Sequence, residues 1–395
     1  MKKIFLLFIA IALSLQSFAI ITLSPNSRVS ILTCGSGDEL YSIFGHTGIR
    51  VHDPENGMDL VFNYGTFDFN DEQFYTKFVR GKLDYFLSAS SYQDFIGSYM
   101  QEDRSVTEQV LNISYEQRQA VLEFLYWNFK EENKYYKYDF FKDNCTTKIR
   151  DILSTVLKQN IVWDENANPE KLTYRKMLDP NIVSMPWIKA GFYLGLGSVC
   201  DVYPNHFEKM FLPDKLYNGI AKAELLNGKI STPLVKETVN VYTSTKGSLK
   251  AALDIPQLLA VFLFLATVGL SLWQYLKRKE ILIIDKALWY LVSIISVLLF
   301  FLWFATDHPS TKMNYNLLWA SPLCIVLLLT CNSEKFQKVY RVSLALLMIS
   351  CSLVMISSVL KFQSFHILWA MIAPVLIMRA SLIQLLKRQN EIVSK

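Results

Sequence analysis

The chain has 395 residues, of which 51% are hydrophobic and 19% are charged, whereas soluble domains carry roughly 25% charged residues. This composition excludes a disordered chain, a collagen-like chain and a small disulfide scaffold. The net charge of +5 is unevenly distributed, because residues 256–395 hold 13 Lys/Arg against 5 Asp/Glu and residues 1–255 hold 27 against 30. Nucleic-acid-binding proteins concentrate cations on the folded domain, so no nucleic acid is expected as a partner.

The N-terminus has the pattern of a secretory signal peptide covering residues 1–19. Lys2 and Lys3 form a basic region, residues 4–15 form an apolar core, and residues 17–19 supply small side chains for cleavage. The apolar core is short for a bilayer span, which favours cleavage over an uncleaved anchor helix. We therefore expect residues 20–255 to form an exported domain.

The exported domain alternates predicted strands and helices. Asn56-Gly57 predicts a turn between the second and third strands. Ser114 and Gln117 have the spacing of a capping box at the start of a helix. The pattern predicts strands at 28–33, 47–51, 60–64, 83–87 and 104–113, and helices at 71–79 and from 114 to about 132.

Cys145 lies at the start of the next predicted helix. Apolar residues from Ile149 to Leu157 recur at i, i+3 and i+4 spacing, and Asp143 or Asn144 is a suitable N-cap. Helix N-termini carry partial positive charge and unpaired N–H groups, which lower a thiol pKa and can receive an oxyanion. Cys145 is therefore the predicted nucleophile, although the same pattern fits a small buried packing residue.

A thiol nucleophile needs a base, and three histidines of the exported domain are candidates. His46 is favoured because flanking glycines leave its ring accessible at the start of a strand, whereas His52 lies in a turn and His206 in a loop. The alternative is that His46 is an ordinary turn histidine. A third polar group should orient the imidazole. The candidates for that role, in order of preference, are Asn63, then Glu39 and Tyr64.

The six cysteines divide equally between the exported domain and the apolar C-terminal part. An odd number in an oxidising compartment leaves at least one thiol free or paired with another molecule. The sequence has neither the ligand spacing of a zinc site nor a glycine-rich nucleotide-binding pattern. We therefore expect neither a metal ion nor a cofactor.

The C-terminal part, residues 256–395, contains five apolar runs that approach the roughly 20 residues needed to cross a bilayer. The third run is the shortest. The predicted spans are 256–275, 288–305, 317–331, 342–360 and 366–386.

The loops between these runs predict their orientation. The loops after the first and third runs hold four and three Lys/Arg, and the C-terminal tail holds three more. The other two loops hold only Lys312 and Lys361. By the positive-inside rule, the first span runs inward and the C-terminus is cytoplasmic. The signal peptide independently predicts the same orientation for residues 20–255.

Four runs of the exported domain, in order along the chain, resemble the Lnb N-terminal periplasmic domain over roughly residues 25–200. Two further runs in the membrane part, 307–309 and 314–319, also resemble that family. The four exported runs are Cys-Gly-Ser-Gly-Asp-Glu-Leu-Tyr-Ser-Ile-Phe-Gly-His at 34–46, Phe-Asn-Tyr-Gly-Thr-Phe at 62–67, Phe-Val-Arg-Gly at 78–81 and Asp-Asn-Cys-Thr-Thr at 143–147.

This resemblance implies an α+β fold of the circularly permuted papain-like (NlpC- and lecithin–retinol-acyltransferase-like) type, followed by an all-α domain of five transmembrane helices. It implies His46 and Cys145 as the catalytic pair of a lipoprotein N-acyltransferase. The acyl donor would be a phospholipid and the acceptor the α-amine of a diacylglyceryl-cysteine lipoprotein. The implied location is the bacterial inner membrane, with the catalytic domain in the periplasm.

Two other functions fit the same sequence. One is a membrane-anchored NlpC-type cysteine amidase or peptidase acting on peptidoglycan, for which one anchor would suffice. The other is a non-catalytic lipid-binding scaffold. Tyr64, Arg80 and His308 are the predicted substrate contacts, although His308 also fits a solvated loop histidine or a partner of Asp307. Residues 187–197 fit either an interfacial segment or a buried one.

Overall fold

The computed structural model describes residues 22–228, 230–247 and 250–393. The predicted signal peptide, residues 1–19, lies outside the described residues. The exported domain contains a seven-stranded antiparallel sheet in the order β10-β5-β1-β2-β3-β4-β6 and a three-stranded sheet in the order β7-β8-β9. The strands are β1 Arg28–Cys34, β2 His46–Asp53, β3 Met58–Thr66, β4 Asp84–Ser91, β5 Val106–Leu111, β6 Tyr135–Lys137, β7 Ile161–Val162, β8 Glu224–Asn227, β9 Ile230–Pro233 and β10 Val235–Tyr242.

Helices cover both faces of the larger sheet, which is why its central strands are buried on both sides. One face packs against a helix rich in aliphatic residues that begins at Cys145, and the other packs against a helix that contributes Phe95, Ile96 and Tyr99. The helices of this domain are α1 Phe74–Val79, α2 Tyr92–Gln101, α3 Tyr115–Phe129, α4 Cys145–Leu157, α5 Tyr174–Leu178, α6 Pro186–Gly195 and α7 Pro213–Lys222.

The predicted elements of the exported domain are present, with shifted ends. The five predicted strands correspond to β1–β5, and the three predicted helices correspond to α1, α3 and α4. The capping box is confirmed, because the Ser114 side chain accepts from the Gln117 N–H and the Gln117 side chain accepts from the Ser114 N–H. The sequence analysis did not predict α2 or the edge strand β10, which pairs with β5.

The C-terminal part is helical. Four helical segments in the described part of the chain are long and apolar enough to cross a membrane: Ile255–Lys277, Leu282–Phe304, Glu334–Val359 and Ile367–Gln389. The corresponding helices are α8 Ile255–Lys277, α9 Leu282–Phe304, α10 Asn316–Trp319, α11 Leu323–Thr330, α12 Gln337–Val359, α13 Ile367–Ala370 and α14 Ile372–Val393.

The prediction of five full-length transmembrane helices is not confirmed, because the expected third span, 317–331, is broken. It consists of α10 and α11, which are separated at Ser321-Pro322. Proline lacks the N–H that would continue a helical hydrogen-bond ladder, so it ends α10 and starts α11. The Lys286 Nζ at the start of α9 lies 2.9 Å from the Asn332 Oδ1, so α10 and α11 bring the chain back towards the start of α9.

The exported domain is joined to the helical domain through α6 and the residues that follow it. The indole N–H of Trp369 donates to the Ala190 carbonyl at 2.6 Å, and the side-chain amides of Asn314 and Asn316 donate to the Leu194 carbonyl at 2.7 and 3.1 Å. The Trp187 side chain remains 55% exposed. The segment 187–197 is thus a contact element between the two domains.

Candidate functional site

The helix α4 begins at Cys145, and its start is fixed by Asn144. The Asn144 Oδ1 accepts from the backbone N–H groups of Thr146 and Thr147 at 2.9 and 2.8 Å, and the Thr147 hydroxyl accepts from the Asn144 N–H at 2.7 Å. The Asn144 side-chain amide also donates to the carbonyls of Phe140 and Phe211. Because Asn144 is buried in this network, the sulfur of the next residue is held at the positive end of the helix.

His46 is the first residue of β2, and it faces the thiol of Cys145. Burial opposes charge on both groups, but the pKa of the Cys145 thiol is lowered overall by the charge of His46 and its hydrogen bond. The pKa of His46 is raised by the same partner, again against the effect of burial. The two side chains therefore favour a thiolate and an imidazolium, which is the state of an activated cysteine nucleophile.

Asn63 and Thr47 complete the surroundings of this pair. The His46 Nε2 lies 3.3 Å from the Asn63 Oδ1 on the neighbouring strand β3. A backbone hydrogen bond from Thr47 also lowers the pKa of Cys145, although less than His46 does. The sequence analysis did not identify this backbone group, because its position depends on how β2 approaches α4.

A second thiol lies beside the pair, but its properties differ. Cys34 is paired with His46 in the register of β1 and β2 and is only 1% exposed. Burial raises the pKa of the Cys34 thiol strongly, against the smaller opposing effect of Arg104. Cys34 therefore stays protonated, and Cys145 is the thiol suited to nucleophilic attack.

The lack of a side chain at Gly65 leaves space next to Cys145. Gly65 has φ of +89°, a conformation that L side chains rarely adopt. A Cβ at this position would lie 3.6 Å from the Cys145 Cβ, 3.8 Å from the Tyr138 Cε2 and 4.0 Å from the Tyr136 hydroxyl oxygen. Gly65, Tyr136 and Tyr138 thus surround the space in which a reacting group could approach the sulfur.

Tyr136 presents an unsatisfied hydroxyl at this space. Its oxygen is buried, and no residue that the structure describes bonds to it with good geometry, although the Gly65 backbone N–H lies close enough to oppose the rise of its pKa. Burial, and then the negative charge of Cys145, raise the pKa of Tyr136 far above its ordinary value. The phenol therefore keeps its proton and is available as a donor. The sequence contains a signal for this residue, the tyrosine run at 135–138, but the sequence analysis assigned it no role.

A cavity of about 350 Å³ opens beside His46 and Asn63. The cavity also meets the ring of Tyr99, which stacks on the imidazole at a centroid distance of 6.5 Å. Polar and apolar atoms contribute about equally to its lining, and five of the other lining residues carry polar side chains, so it can accept a hydrogen-bonding part of a substrate. The polar lining residues besides His46 and Asn63 include Thr66, Ser88, Ser90, Asp94 and Ser98.

The other predicted site residues lie in different environments. Tyr64 lines the cavity, but its ring is 1% exposed and its hydroxyl donates to the Asn128 side chain. Glu39 is exposed in the β1–β2 loop. Arg80 is exposed, and its carbonyl accepts from the Asp307 N–H. The His308 Nε2 lies 3.1 Å from the Phe78 carbonyl, so this histidine joins the loop after α9 to the end of α1.

Comparison with family models identifies both parts of the chain. Residues 16–179 match the Lnb N-terminal periplasmic domain, and residues 249–391 match the Lnb transmembrane domain. The comparisons with curated proteins and with solved structures returned no match. The two models match in the expected order and cover His46 and Cys145 as well as the apolar helices, so the chain is a membrane-anchored member of the Lnb family.

Proposed function

We propose that this protein is a lipoprotein N-acyltransferase that uses Cys145 as nucleophile and His46 as general base and acid. The observation that carries the proposal is the pairing of an activated thiol with an imidazole in a domain anchored by apolar helices. The proposed substrates are a phospholipid and a diacylglyceryl-cysteine lipoprotein, both of which reside in the membrane. No metal ion or cofactor is needed for this chemistry.

In the first half-reaction, the Cys145 thiolate attacks the carbonyl carbon of a phospholipid ester. A carbon–sulfur bond forms, and the carbonyl oxygen becomes an oxyanion near the start of α4, where the Tyr136 hydroxyl can donate to it. The carbon–oxygen bond of the ester then breaks. The leaving alkoxide takes a proton from the His46 imidazolium, which releases a lysophospholipid and leaves an acyl thioester on Cys145.

In the second half-reaction, the α-amine of the lipoprotein attacks the thioester carbonyl. His46, now neutral, takes a proton from the attacking nitrogen, and Asn63 holds the imidazole in position. The carbon–sulfur bond breaks, an amide forms, and the thiolate–imidazolium pair is restored. Thioesters react readily with amines, so the reaction needs no energy input. The cavity beside His46 is suited to the peptide part of the acceptor.

The proposal includes the arrangement of the chain in the bilayer. We infer that the exported domain is periplasmic with a permuted papain-like fold, in which the His-bearing strand precedes the Cys-bearing helix. We also infer that α10 and α11 cross the bilayer together, since Lys286 at the start of α9 meets Asn332 after α11. This would give five crossings of the inner membrane and a cytoplasmic C-terminus.

The proposal is tested by mass spectrometry of lipoprotein N-termini from cells that carry Cys145→Ala. We expect triacylated termini to be replaced by diacylated termini with a free amine. The matched control is Cys200→Ala, which removes a buried thiol whose pKa is raised by burial to about 12. We expect this control to retain N-acylation. Persistence of triacylated termini in the Cys145→Ala strain would refute the acyltransferase function.

A second measurement separates the acyltransferase from a peptidoglycan amidase. The purified full-length protein in nanodiscs is incubated with a phospholipid that carries a labelled acyl chain. An acyltransferase should retain the label on Cys145 until hydroxylamine releases it. An amidase should instead release peptide fragments from peptidoglycan and acquire no labelled, hydroxylamine-sensitive adduct.

A further inference from the structure

Aromatic side chains cluster on the exported domain around α1. They consist of Phe67, Phe69, Phe74, Tyr75, Phe78 and Tyr85, which we call the aromatic cluster. Phe67 contacts Phe69 at a ring-centroid distance of 4.7 Å and Phe74 at 5.7 Å. Three members are nevertheless open to solvent in the isolated chain, with Tyr75 80% exposed, Phe69 66% and Phe78 49%. Such a concentration of exposed rings marks an interaction surface.

The aromatic cluster adjoins the loop that leaves the apolar helix α9. The His308 Nε2 of that loop lies 3.1 and 3.2 Å from the carbonyls of Phe78 and Val79. The Asp307 N–H donates to the Arg80 carbonyl at 2.8 Å. Gly81 permits this approach, because a Cβ there would lie 3.1 Å from the His308 nitrogen. The exposed rings are therefore fixed close to the end of a helix that is apolar enough to span the bilayer.

The end of α9 itself has the composition of a membrane interface. Trp303 stacks on Phe304 at 5.0 Å, and Phe300 contacts Phe304 at 4.5 Å. Aromatic residues are enriched where transmembrane helices meet the headgroup layer. Asp307 and His308, which follow these aromatic residues, are hydrogen-bonded to the end of α1. The aromatic cluster therefore lies at the level of the headgroup layer, where acyl chains begin.

One further ring, that of Tyr138, connects the aromatic cluster to Cys145. Phe67 contacts Tyr85 at 5.4 Å, and Tyr85 stacks on Tyr138 at 4.4 Å. Tyr138 and Cys145 both border the space left by Gly65. The rings of Phe67, Tyr85 and Tyr138 are each partly exposed, so a ligand can lie against them. They form a continuous series of aromatic contacts, the aromatic path, from the membrane level to the space beside the sulfur.

We propose that this path binds a long acyl chain of a phospholipid, which leaves the adjacent leaflet over Phe69 and Phe78 and lies along Phe67, Tyr85 and Tyr138 with its ester at Cys145. The inference rests on the proposed function and adds the route of the donor. Each further methylene that lies against the rings adds buried apolar area, so the aromatic path favours a long chain over a short one. It also keeps the chain out of water while the thioester exists.

The first test compares two donors with the triple variant Phe69→Gln/Tyr75→Gln/Phe78→Gln, which changes the three most exposed side chains of the aromatic cluster. We expect kcat/KM for a long-chain phospholipid in vesicles to fall at least about tenfold. Transfer from a soluble short-chain thioester should stay unchanged. The matched control is Trp127→Gln, which alters a 53% exposed ring on α3. Equal effects on both donors, or no effect on either, would overturn the proposal.

The second test measures binding of the donor and does not require acyl transfer. Full-length Cys145→Ala protein in nanodiscs is irradiated with a phospholipid that carries a diazirine midway along its acyl chain. Peptides containing residues 67–85 should be crosslinked, and the triple variant should lose at least about nine-tenths of that crosslinking. Crosslinks confined to the apolar helices would refute the path. If the path is crosslinked but native protein forms no thioester, only the acyltransferase function fails.

Discussion

Removal of the Tyr136 hydroxyl is expected to slow acylation of Cys145 without lowering the stability of the protein. The buried hydroxyl oxygen has no well-aligned hydrogen-bond partner among the described residues, and only the Gly65 backbone N–H lies close enough to affect its pKa. A poorly satisfied group of this kind costs about 1–3 kcal/mol when it is buried. Tyr136→Phe should therefore leave the free energy of unfolding unchanged or raise it by about 1 kcal/mol. If the hydroxyl donates to the oxyanion, thioester formation should slow by roughly 10²–10³-fold, or about 2.7–4 kcal/mol.

The assay combines single-turnover acylation of Cys145 by a labelled phospholipid with thermal unfolding of the same preparation. Tyr115→Phe is the control, because it makes the same chemical change where the hydroxyl donates to the Leu23 carbonyl at 3.0 Å. That control should lose about 1 kcal/mol of stability and keep its acylation rate. Acylation of Tyr136→Phe at the native rate would refute the oxyanion role. If Tyr136→Phe loses as much stability as the control, the conclusion that the Tyr136 hydroxyl lacks a stabilising hydrogen bond is wrong.

Three further outcomes are expected. Because His46 lowers the pKa of Cys145, the rate of alkylation of Cys145 by iodoacetamide should reach half its maximum below the pH of an ordinary thiol, roughly 8.5. His46→Gln should move this half-maximal pH upward. An unchanged pH profile in the variant would contradict the ion pair. Arg379→Met should destabilise the helical domain by about 3–5 kcal/mol in denaturant titrations. The reason is that the buried Asp285 carboxylate, 2.7 Å from Arg379, loses its partner. The double variant Arg379→Met/Asp285→Leu should regain most of the lost stability. Asn144→Ala should lower stability by about 1–2 kcal/mol and slow alkylation, and a variant that melts at the native temperature would argue against this cap.

The sequence was sufficient to predict the main elements of the exported domain and the cysteine, histidine and asparagine that the structure brings together. The sequence predicted the positions of β1–β5, the Asn56-Gly57 turn separated β2 from β3, and the capping pattern at Ser114 placed α3. The short motif around Cys145 predicted both a helix start and a nucleophile, because capping and thiol activation depend on neighbours in the chain. The contact between His46 and Asn63 could also be predicted from the sequence, since the two residues lie on strands that are adjacent in the chain.

Other features depended on tertiary structure. The expected third span is broken at Ser321-Pro322. Hydropathy predicts the length of an apolar run but not whether its helix is continuous. The roles proposed for Tyr136 and the aromatic cluster arise because β3, β4 and β6 align side chains that lie far apart in sequence. His308 was expected near substrate but contacts the backbone of α1. Local patterns report propensity and burial, whereas distances across the sheet and between domains are decided only when the chain packs.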